Sequence, residues 1–192
     1  MKRVLLACGL ISGITLNATA QSEPSKPSYE KQVYINGDGD IFVQKELPMY
    51  LKFSTSPGGE NYDLKGKVPE YSEPMYLDTE GPNYIRSKYA VDPETKRTVQ
   101  PEQEVLYEVN ADGLSPITKH TFTGAPRYSN GGTVFFGKDL SFSLSARDGV
   151  SGVKGTQYAL GNGYTDYSNA VNASKEGAQT LYYYSFDFVG NA

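Results

Sequence analysis

The residue types that most often carry catalysis are scarce in this chain. One histidine, His120, and one cysteine, Cys8, occur among 192 residues. A histidine-based triad would need a serine and an aspartate in addition, and the sequence has no Gly-x-Ser-x-Gly nucleophile turn. A zinc site of histidine and cysteine would lack ligands, and paired carboxylates for glycoside hydrolysis would require a deep cleft. The sequence therefore predicts a protein without catalytic residues.

Oxygen-bearing side chains alternate in one short segment, as the first ligands of an EF-hand loop do. They are Asn36, Asp38 and Asp40. The twelfth position of such a loop requires a bidentate carboxylate, and this chain has Leu47 there. We therefore expect a hairpin turn in this segment. The alternative is calcium, held by these side chains together with Glu46 or Asp112.

Tyrosines are the other residues able to recognise a ligand, and the chain has 16 of them. In the run at 182–184, Tyr182 and Tyr184 would share one face of a strand while Tyr183 takes the other, because side chains alternate along a strand. The favoured interpretation is packing in a core and across strands. The alternative is an exposed aromatic platform for sugar rings or a partner protein, which Tyr164 and Tyr167 would extend.

Apolar residues recur with a period of two along much of the chain after residue 20. The pattern is clearest at 47–53, 105–109 and 140–144, and turn residues such as Pro57-Gly58-Gly59 and Asp148-Gly149 separate the segments. This alternation predicts strands with one face on a core and the other in water. Because the strands are short and no helical period is sustained, we expect an all-β fold of β-sandwiches.

Matched segments in the same order indicate two copies of one module. The pairs are 34–47 with 128–140, 88–91 with 157–160, and 106–113 with 181–190. They divide the chain into module 1 at 29–116, which carries an insertion loop at 56–83, and module 2 at 117–192. They also predict that Tyr89 and Tyr158 occupy equivalent core positions.

The start of the chain has the pattern of an export signal. A positively charged beginning precedes an apolar run at 4–16, and Ala18-Thr19-Ala20 fits a small-x-small cleavage site. We expect removal of residues 1–20, a flexible linker at 21–28, and location in the periplasm, at the outer-membrane surface or outside the cell. The alternative is lipid attachment at Cys8. The apolar run is too short to span a membrane.

Charge and cysteine content narrow the range of partners. The chain carries 18 basic and 22 acidic residues, a net charge of −4, and loss of the leader would remove some of the basic ones. Nucleic-acid binding needs clustered lysine and arginine, so it is not expected. The same cleavage would remove the cysteine, so the exported chain would fold without a disulfide.

Module 2 carries a recognisable series of motifs. It reads Leu-Ser-Ala-Arg-Asp-Gly-Val-Ser-Gly-Val at 144–153, Gln-Tyr-Ala-Leu at 157–160, and Asp-Phe-Val-Gly-Asn at 187–191 after a tyrosine-rich strand. In this it resembles the bacterial Ig-like repeats of exported surface proteins, some of which are named outer-membrane "β-barrel" domains. Module 1 matches the pattern loosely. The resemblance implies tandem Ig-like β-sandwiches, a role in adhesion or spacing, and no catalytic residues.

Two aspartates of these motifs stand where a strand ends and glycines follow. A short carboxylate at such a place can accept backbone N–H bonds, and glycine supplies a positive φ. We therefore interpret the motif residues as structural turns. They are Asp148, Gly149, Gly152, Asp187, Gly190 and Asn191.

These features together predict a non-catalytic exported surface or periplasmic protein. Its two modules would act as spacer and adhesive elements for a protein or glycan partner at the cell surface, with no cofactor. Module 2 stops at Ala192, directly after its turn, so we also expect further domains of the same chain to follow. The alternative is a pair of carbohydrate-binding modules attached to a larger secreted hydrolase, which exposed tyrosine rings would favour.

Overall fold

The computed structural model describes residues 2–8, 23–64, 74–100, 105–130, 133–161, 163–173 and 175–192. Strands dominate the described residues, and no helix occurs among them, so none of their segments is a helix long and apolar enough to cross a membrane. The fold is all-β and consistent with a β-sandwich, as the period of two predicted.

The strands are mostly short and are joined by turns. In chain order they are β1 (Lys2–Cys8), β2 (Val33–Ile35), β3 (Ile41–Gln44), β4 (Lys52–Phe53), β5 (Tyr62–Asp63), β6 (Gly81–Ser87), β7 (Ala90–Val91), β8 (Thr98–Val99), β9 (Val105–Asp112), β10 (Ile117–Thr123), β11 (Arg127–Asn130), β12 (Thr133–Phe136), β13 (Ser141–Arg147), β14 (Val153–Ala159), β15 (Thr165–Asp166), β16 (Val171–Asn172) and β17 (Gly177–Asp187).

The chain folds into two compact units. The continuous unit is Glu30–Gly113, and the split unit joins Met1–Tyr29 to Leu114–Ala192. The split unit therefore contains the predicted module 2 together with the predicted leader and linker. Residues 1 and 9–20 of the leader, and residues 21 and 22 of the linker, lie outside the described residues.

A four-stranded sheet in the order β2-β3-β9-β6 organises the continuous unit. β2 and β3 form an antiparallel hairpin, β3 runs parallel to β9, and β6 runs antiparallel to β9. Two further sheets, β4-β5 and β7-β8, have two strands each. Val43 and Ala111, at 6% and 0% exposure, are the apolar residues buried in the described part of this unit.

Two sheets form the split unit. One has six strands in the order β11-β12-β1-β17-β14-β15, and the other has three in the order β10-β13-β16. Alternation along the strands directs Phe142 and Leu144 of β13, and Leu181 and Tyr183 of β17, into one shared core. Phe142 and Leu181 are each 0% exposed. Through Leu181 and Tyr183, β17 contributes two buried side chains to the core of the split unit.

One pair of matched segments does not occupy equivalent positions. Tyr158 lies on β14 and packs against the core, but Tyr89 is 61% exposed and lies between β6 and β7. The hydroxyl of Ser87 donates to the carbonyl oxygen of Tyr89 at 2.7 Å, which holds the backbone in a local bend beyond the sheet. The predicted equivalence of Tyr89 and Tyr158 is therefore wrong.

The other two matched pairs differ from each other. The first pair forms a hairpin in both units, in which Tyr34 pairs with Phe42 and Tyr128 pairs with Phe135. The third pair, β9 and β17, does not occupy the same place. β9 runs beside the hairpin strand β3, whereas β1 separates β17 from the hairpin strand β12. Similar local sequence does not determine which strands become neighbours in a sheet.

The predicted insertion loop at 56–83 ends earlier than expected. β6 begins at Gly81, so 81–83 belong to the four-stranded sheet. Within the loop, β5 pairs with β4, which precedes the loop. Met75, nearer the end of the loop, forms a bridge with Met49. Residues 65–73 of the loop lie outside the described residues.

Candidate functional site

The tyrosine run lies on β17, an interior strand of the six-stranded sheet. β1 and β14 pair with it on either side, and residues 181–185 are buried. Burial of successive residues along a strand means that both faces of the sheet are covered there. Tyr182, Tyr183 and Tyr184 are accordingly 2%, 3% and 6% exposed.

Four rings pack on the outer face of this sheet, the face turned away from the core. We call Tyr29, Tyr164, Tyr184 and Phe186 the outer aromatic cluster. Tyr29 stacks on Phe186 with ring centroids 4.3 Å apart, and Tyr164 meets Tyr184 edge-on at 4.8 Å. A Cβ at Gly155 would lie 2.6 Å from the ring of Phe186. Glycine on β14 therefore makes room for this ring.

Hydroxyl groups of the cluster are joined through Tyr184. Its hydroxyl donates to Gln157 Oε1 and so accepts the hydrogen bond of the Tyr29 hydroxyl, 2.9 Å away. Gln157 Nε2 in turn donates to Asp166 Oδ1 at 2.7 Å. Burial, followed by the hydrogen bond with Tyr29, raises the pKa of Tyr184 far above its ordinary value. The hydroxyl stays protonated and is a fixed structural link.

The segment before Glu30 brings a cation to the cluster. Lys26 Nζ lies 4.6 Å from the ring centroid of Tyr184, within cation–π range. Burial lowers the pKa of Lys26, and the charge of Glu23 opposes that shift. Burial, followed by Glu23, raises the pKa of Tyr164. The hydroxyl of Tyr164 is buried without a hydrogen-bond partner in the described part of the chain.

On the core side of β17, side-chain hydrogen bonds join the two sheets. Thr118 of β10 donates to Ser185 Oγ at 2.8 Å, and the hydroxyl of Thr156 on β14 lies 2.7 Å from the same oxygen. His120 Nδ1 lies 2.9 Å from the hydroxyl of Tyr183, whose pKa is raised by burial. These bonds satisfy buried polar groups. They account for His120 as a structural residue.

A cleft of about 440 Å³ opens beside β17 within the split unit. Its lining includes Lys26, Thr118, Tyr184, Ser185 and Ala192. The lining side chains supply one amine and several hydroxyls but no carboxylate and no imidazole. Such groups can hydrogen-bond a polar ligand or a polypeptide backbone. They lack the paired acid and base that hydrolysis uses.

The turn after β17 is built on Asp187, which is 1% exposed. Its Oδ1 accepts N–H bonds from Val189, Gly190 and Asn191 at 3.0, 2.7 and 2.8 Å. Its Oδ2 accepts a bond from the side chain of Asn191 at 2.7 Å. Gly190 has a φ of +100°, which glycine adopts without strain. The carboxylate thus holds the reversal of the chain.

Asp148 has a similar position after β13. Its Oδ2 accepts N–H bonds from Val150 and Gly152, each at 2.9 Å. Gly152 has a φ of +87°. Gly149 has no neighbour within 4 Å of the place that a Cβ would take. The carboxylate and Gly152 therefore shape this turn, while Gly149 lies at its open side.

The segment considered for calcium forms the hairpin turn between β2 and β3. Asn36 Oδ1 accepts the N–H groups of Asp38 and Asp40 at 3.0 and 2.9 Å, and Asn36 Nδ2 donates to Asp40 Oδ2 at 2.9 Å. Both ends of the Asn36 amide are therefore committed to the turn. Calcium binding at these three residues stays a prediction.

The four tyrosines predicted as a possible ligand surface do not all lie together. Tyr164, Tyr182 and Tyr184 lie on the outer side of the six-stranded sheet. Tyr167 packs against the core instead, edge-on to Tyr158 at 6.3 Å. Because Tyr182 and Tyr184 are buried, these rings do not form the exposed platform that the alternative interpretation required.

Sequence analysis missed the segment that covers these rings. Residues 23–29, interpreted as mostly flexible linker, bring Lys26 and Tyr29 onto the outer aromatic cluster. A signal was present, because Pro24 and Pro27 favour an extended backbone that can lie along a sheet. An aromatic residue at the end of such a segment is suited to anchor it.

Fold and site together define an all-β protein whose buried aromatic and polar groups serve internal contacts. No protein family, curated protein or solved structure was found to match the chain. Its function therefore has to be argued from its own residues.

Proposed function

We propose that the chain is a non-catalytic exported protein of the surface or periplasm, in which two Ig-like β-sandwich modules act as spacer and adhesive elements. The observation that carries this proposal is the burial of Tyr182, Tyr183 and Tyr184, which pack inside the split unit and do not form an exposed aromatic platform. The cleft beside β17 adds support, because its lining has no acid–base pair.

The adhesive surface in this proposal belongs to the continuous unit. Ile85 of β6 and Tyr107 of β9 are direct cross-strand partners and are 55% and 65% exposed. Side chains opposite each other on neighbouring strands share one face of the sheet. Exposed apolar and tyrosine side chains of this kind are typical of protein interfaces. Of the two partners that the sequence predicts, a protein or a glycan at the cell surface, this proposal takes a protein, and further domains of the chain would follow module 2.

The alternative function, a carbohydrate-binding module pair carried by a larger secreted hydrolase, has one observation in its favour. Exposed tyrosines are common in the continuous unit, at 45–65% exposure. They are Tyr50, Tyr62, Tyr76, Tyr84, Tyr89 and Tyr107. Sugar rings stack on exposed aromatic faces, so such a surface would suit a glycan. The ligand platform would then lie in the continuous unit and not on β17.

The test is a binding screen of residues 21–192 against cell-surface proteins and a glycan array. Two tyrosines provide a matched pair, because Tyr107 in the continuous unit and Tyr128 in the split unit are each 65% exposed. We expect a protein ligand whose Kd rises about tenfold, or about 1.4 kcal/mol, in Tyr107→Ala. The same ligand should bind Tyr128→Ala unchanged.

Other outcomes would replace the proposal. Glycan binding that is lost in Tyr107→Ala and kept in Tyr128→Ala would establish the carbohydrate-binding alternative. Turnover of a polysaccharide or an ester substrate by the purified chain would contradict a non-catalytic role. Mass analysis of the exported protein tests the leader separately: we expect Gln21 at the N-terminus, and an acylated Cys8 would show lipid attachment.

A further inference from the structure

β1 occupies an interior position of the six-stranded sheet. Its residues pair antiparallel with β17 from Lys2 opposite Tyr183 to Cys8 opposite Gly177. On its other side it runs parallel to β12, where Ala7 is opposite Phe135. β12 and β17 are not neighbours of each other. Removal of residues 1–20 would therefore leave a strand-wide gap with two sheet edges facing it, a state that proteins usually avoid because it invites aggregation.

The continuous unit shows which strand takes the equivalent position, next to the hairpin, in its own sheet. Its hairpin strand β3, which resembles β12 through the matched pairs Tyr34–Phe42 and Tyr128–Phe135, runs parallel to β9. β9 in turn pairs antiparallel with β6. By this comparison β9 corresponds to β1, and β6 corresponds to β17. In the continuous unit the filling strand comes later in the chain than β6, so its counterpart would come later than β17.

The turn after β17 directs the chain toward the same gap. The N–H of Asp187 donates to the carbonyl oxygen of Asn191 at 3.1 Å, which closes a three-residue loop with Gly190 at positive φ. This is the geometry of a hairpin, so the chain turns back along β17. Continued pairing places Ala192 opposite Phe186. The third residue beyond Ala192 would be opposite Tyr183, where Lys2 lies.

The cleft described above lies on this path. Its lining contains Ala192 together with Tyr183, Tyr184 and Ser185 of β17. β1 pairs no further along β17 than Tyr183. The cleft thus lies beside the part of β17 that β1 leaves unpaired, and a chain continuing from Ala192 would enter it.

We propose that the gap between β12 and β17 is an acceptor site for a strand joined to Ala192, and that β1 holds this position until the leader is removed. This inference rests on the proposed removal of residues 1–20. Affinity would come from backbone hydrogen bonds to both edges, as in other cases of strand addition. Residues opposite Gln179 and Leu181 would be apolar, because these two residues are buried at 8% and 0% exposure.

The first test uses the full chain, produced without export so that residues 1–20 remain. Leu5 is opposite Thr180 in the middle of β1, and proline there removes a donor and breaks pairing in an interior strand. We expect Leu5→Pro to lower the Tm by about 10 °C or more. Adding two spacer residues after Ala192, followed by a second copy of the Lys2–Cys8 sequence, should restore the Tm by placing each residue in the register of β1.

A matched control carries the same extension with three spacer residues. A shift of one residue moves every side chain of the strand to the opposite face of the sheet. This extension should restore little of the Tm. Hydrogen exchange gives a second readout: amides of 177–183 should regain protection with the in-register extension and not with the shifted one. Equal behaviour of the two extensions, or an unchanged Tm in Leu5→Pro, would overturn the proposal.

A version that does not depend on the folding of Leu5→Pro uses residues 21–192. Here the in-register extension should raise the Tm above that of the shifted extension. Dimerisation of unextended 21–192 with protection of the β17 amides would overturn the proposal and make a second copy the occupant. Retention of residues 2–8 in the exported protein would also overturn it. These outcomes are independent of the ligand screen that tests the proposed function.

Discussion

The split unit and the continuous unit contain the same kind of hairpin but bury very different amounts of apolar surface. Of the 12 apolar residues buried in the described chain, ten belong to the split unit. Of the 19 large apolar residues that are exposed in the same described part, 16 belong to the continuous unit. A strand with alternating apolar and polar residues therefore presents an apolar face, and that face is buried only where a second sheet packs against it. In the split unit the sheet containing β13 supplies that layer.

In the proposed function, this difference separates two roles. Burial in the split unit fixes β17 and its neighbours, which suits a stable spacer. Exposure in the continuous unit leaves apolar and tyrosine side chains available to a partner. Substitutions of the same chemical kind should therefore act on stability in one unit and on binding in the other.

The largest expected effect is on the core of the split unit. Phe142 is 0% exposed, whereas Phe53 of the continuous unit is 54% exposed. We expect Phe142→Ala to lower the free energy of unfolding by about 3–5 kcal/mol. Phe53→Ala should change it by less than about 0.5 kcal/mol. Urea titrations of both variants make the comparison, and equal losses would show that the two units are buried alike.

The next largest loss of stability is expected from substitutions in the turns, with one turn compared from each unit. Asp187 is buried and accepts three backbone N–H bonds, while Asn36 is half-buried and accepts two, from donors that are exposed. Asp187→Ala should cost about 3 kcal/mol, because the donors lose their partner in a buried place. Asn36→Ala should cost about 1 kcal/mol. Thermal unfolding checks the order, and a larger loss in Asn36→Ala would reverse this part of the comparison.

A smaller effect is expected in the outer aromatic cluster. Tyr184→Phe keeps the ring but removes the hydroxyl that joins Gln157 to Tyr29. We expect a loss of about 1–2 kcal/mol. Tyr107→Phe, at a residue that is 65% exposed, should lose less than about 0.5 kcal/mol. If Tyr184→Phe is neutral in urea unfolding, the hydroxyl link does not stabilise the split unit.

The smallest effect appears only at alkaline pH. The pKa of Tyr184 is raised in the folded chain, so its stabilisation is fully present below the pKa of an unfolded tyrosine, about 10. It is lost as the pH rises from there toward the folded pKa. Between pH 9 and pH 11 the urea midpoint should fall more in the wild type than in Tyr184→Phe. An equal fall in both would mean that Tyr184 is not the group responsible.

Local pattern was sufficient to predict several elements of the structure. Alternation placed Phe142 and Leu144 on the core face of β13, and it separated Tyr183 from Tyr182 and Tyr184. These predictions succeed because side-chain direction in a strand depends on position alone. Short carboxylates before glycines pointed to turns for a similarly local reason.

Pairing between distant segments could not be predicted in the same way. The neighbours of β17 are β1 and β14, and nothing in the period of two indicates that residues 2–8 would lie beside it. Tyr89 resembles Tyr158 in its local sequence, yet one is exposed and the other packs on the core. Such contacts depend on which surfaces meet after the chain has folded, because the same alternating strand can pair at several edges.

Hydrogen exchange of the full chain tests the contrast between the units most directly. The backbone amides of 181–185 on β17 lie in the buried interior of the split unit, whereas Leu106 and Tyr107 on β9 are exposed. We predict that the β17 amides exchange slowest, at the rate set by unfolding of the whole split unit, and that the β9 amides exchange faster. Exchange of β17 as fast as that of β9 would contradict this account.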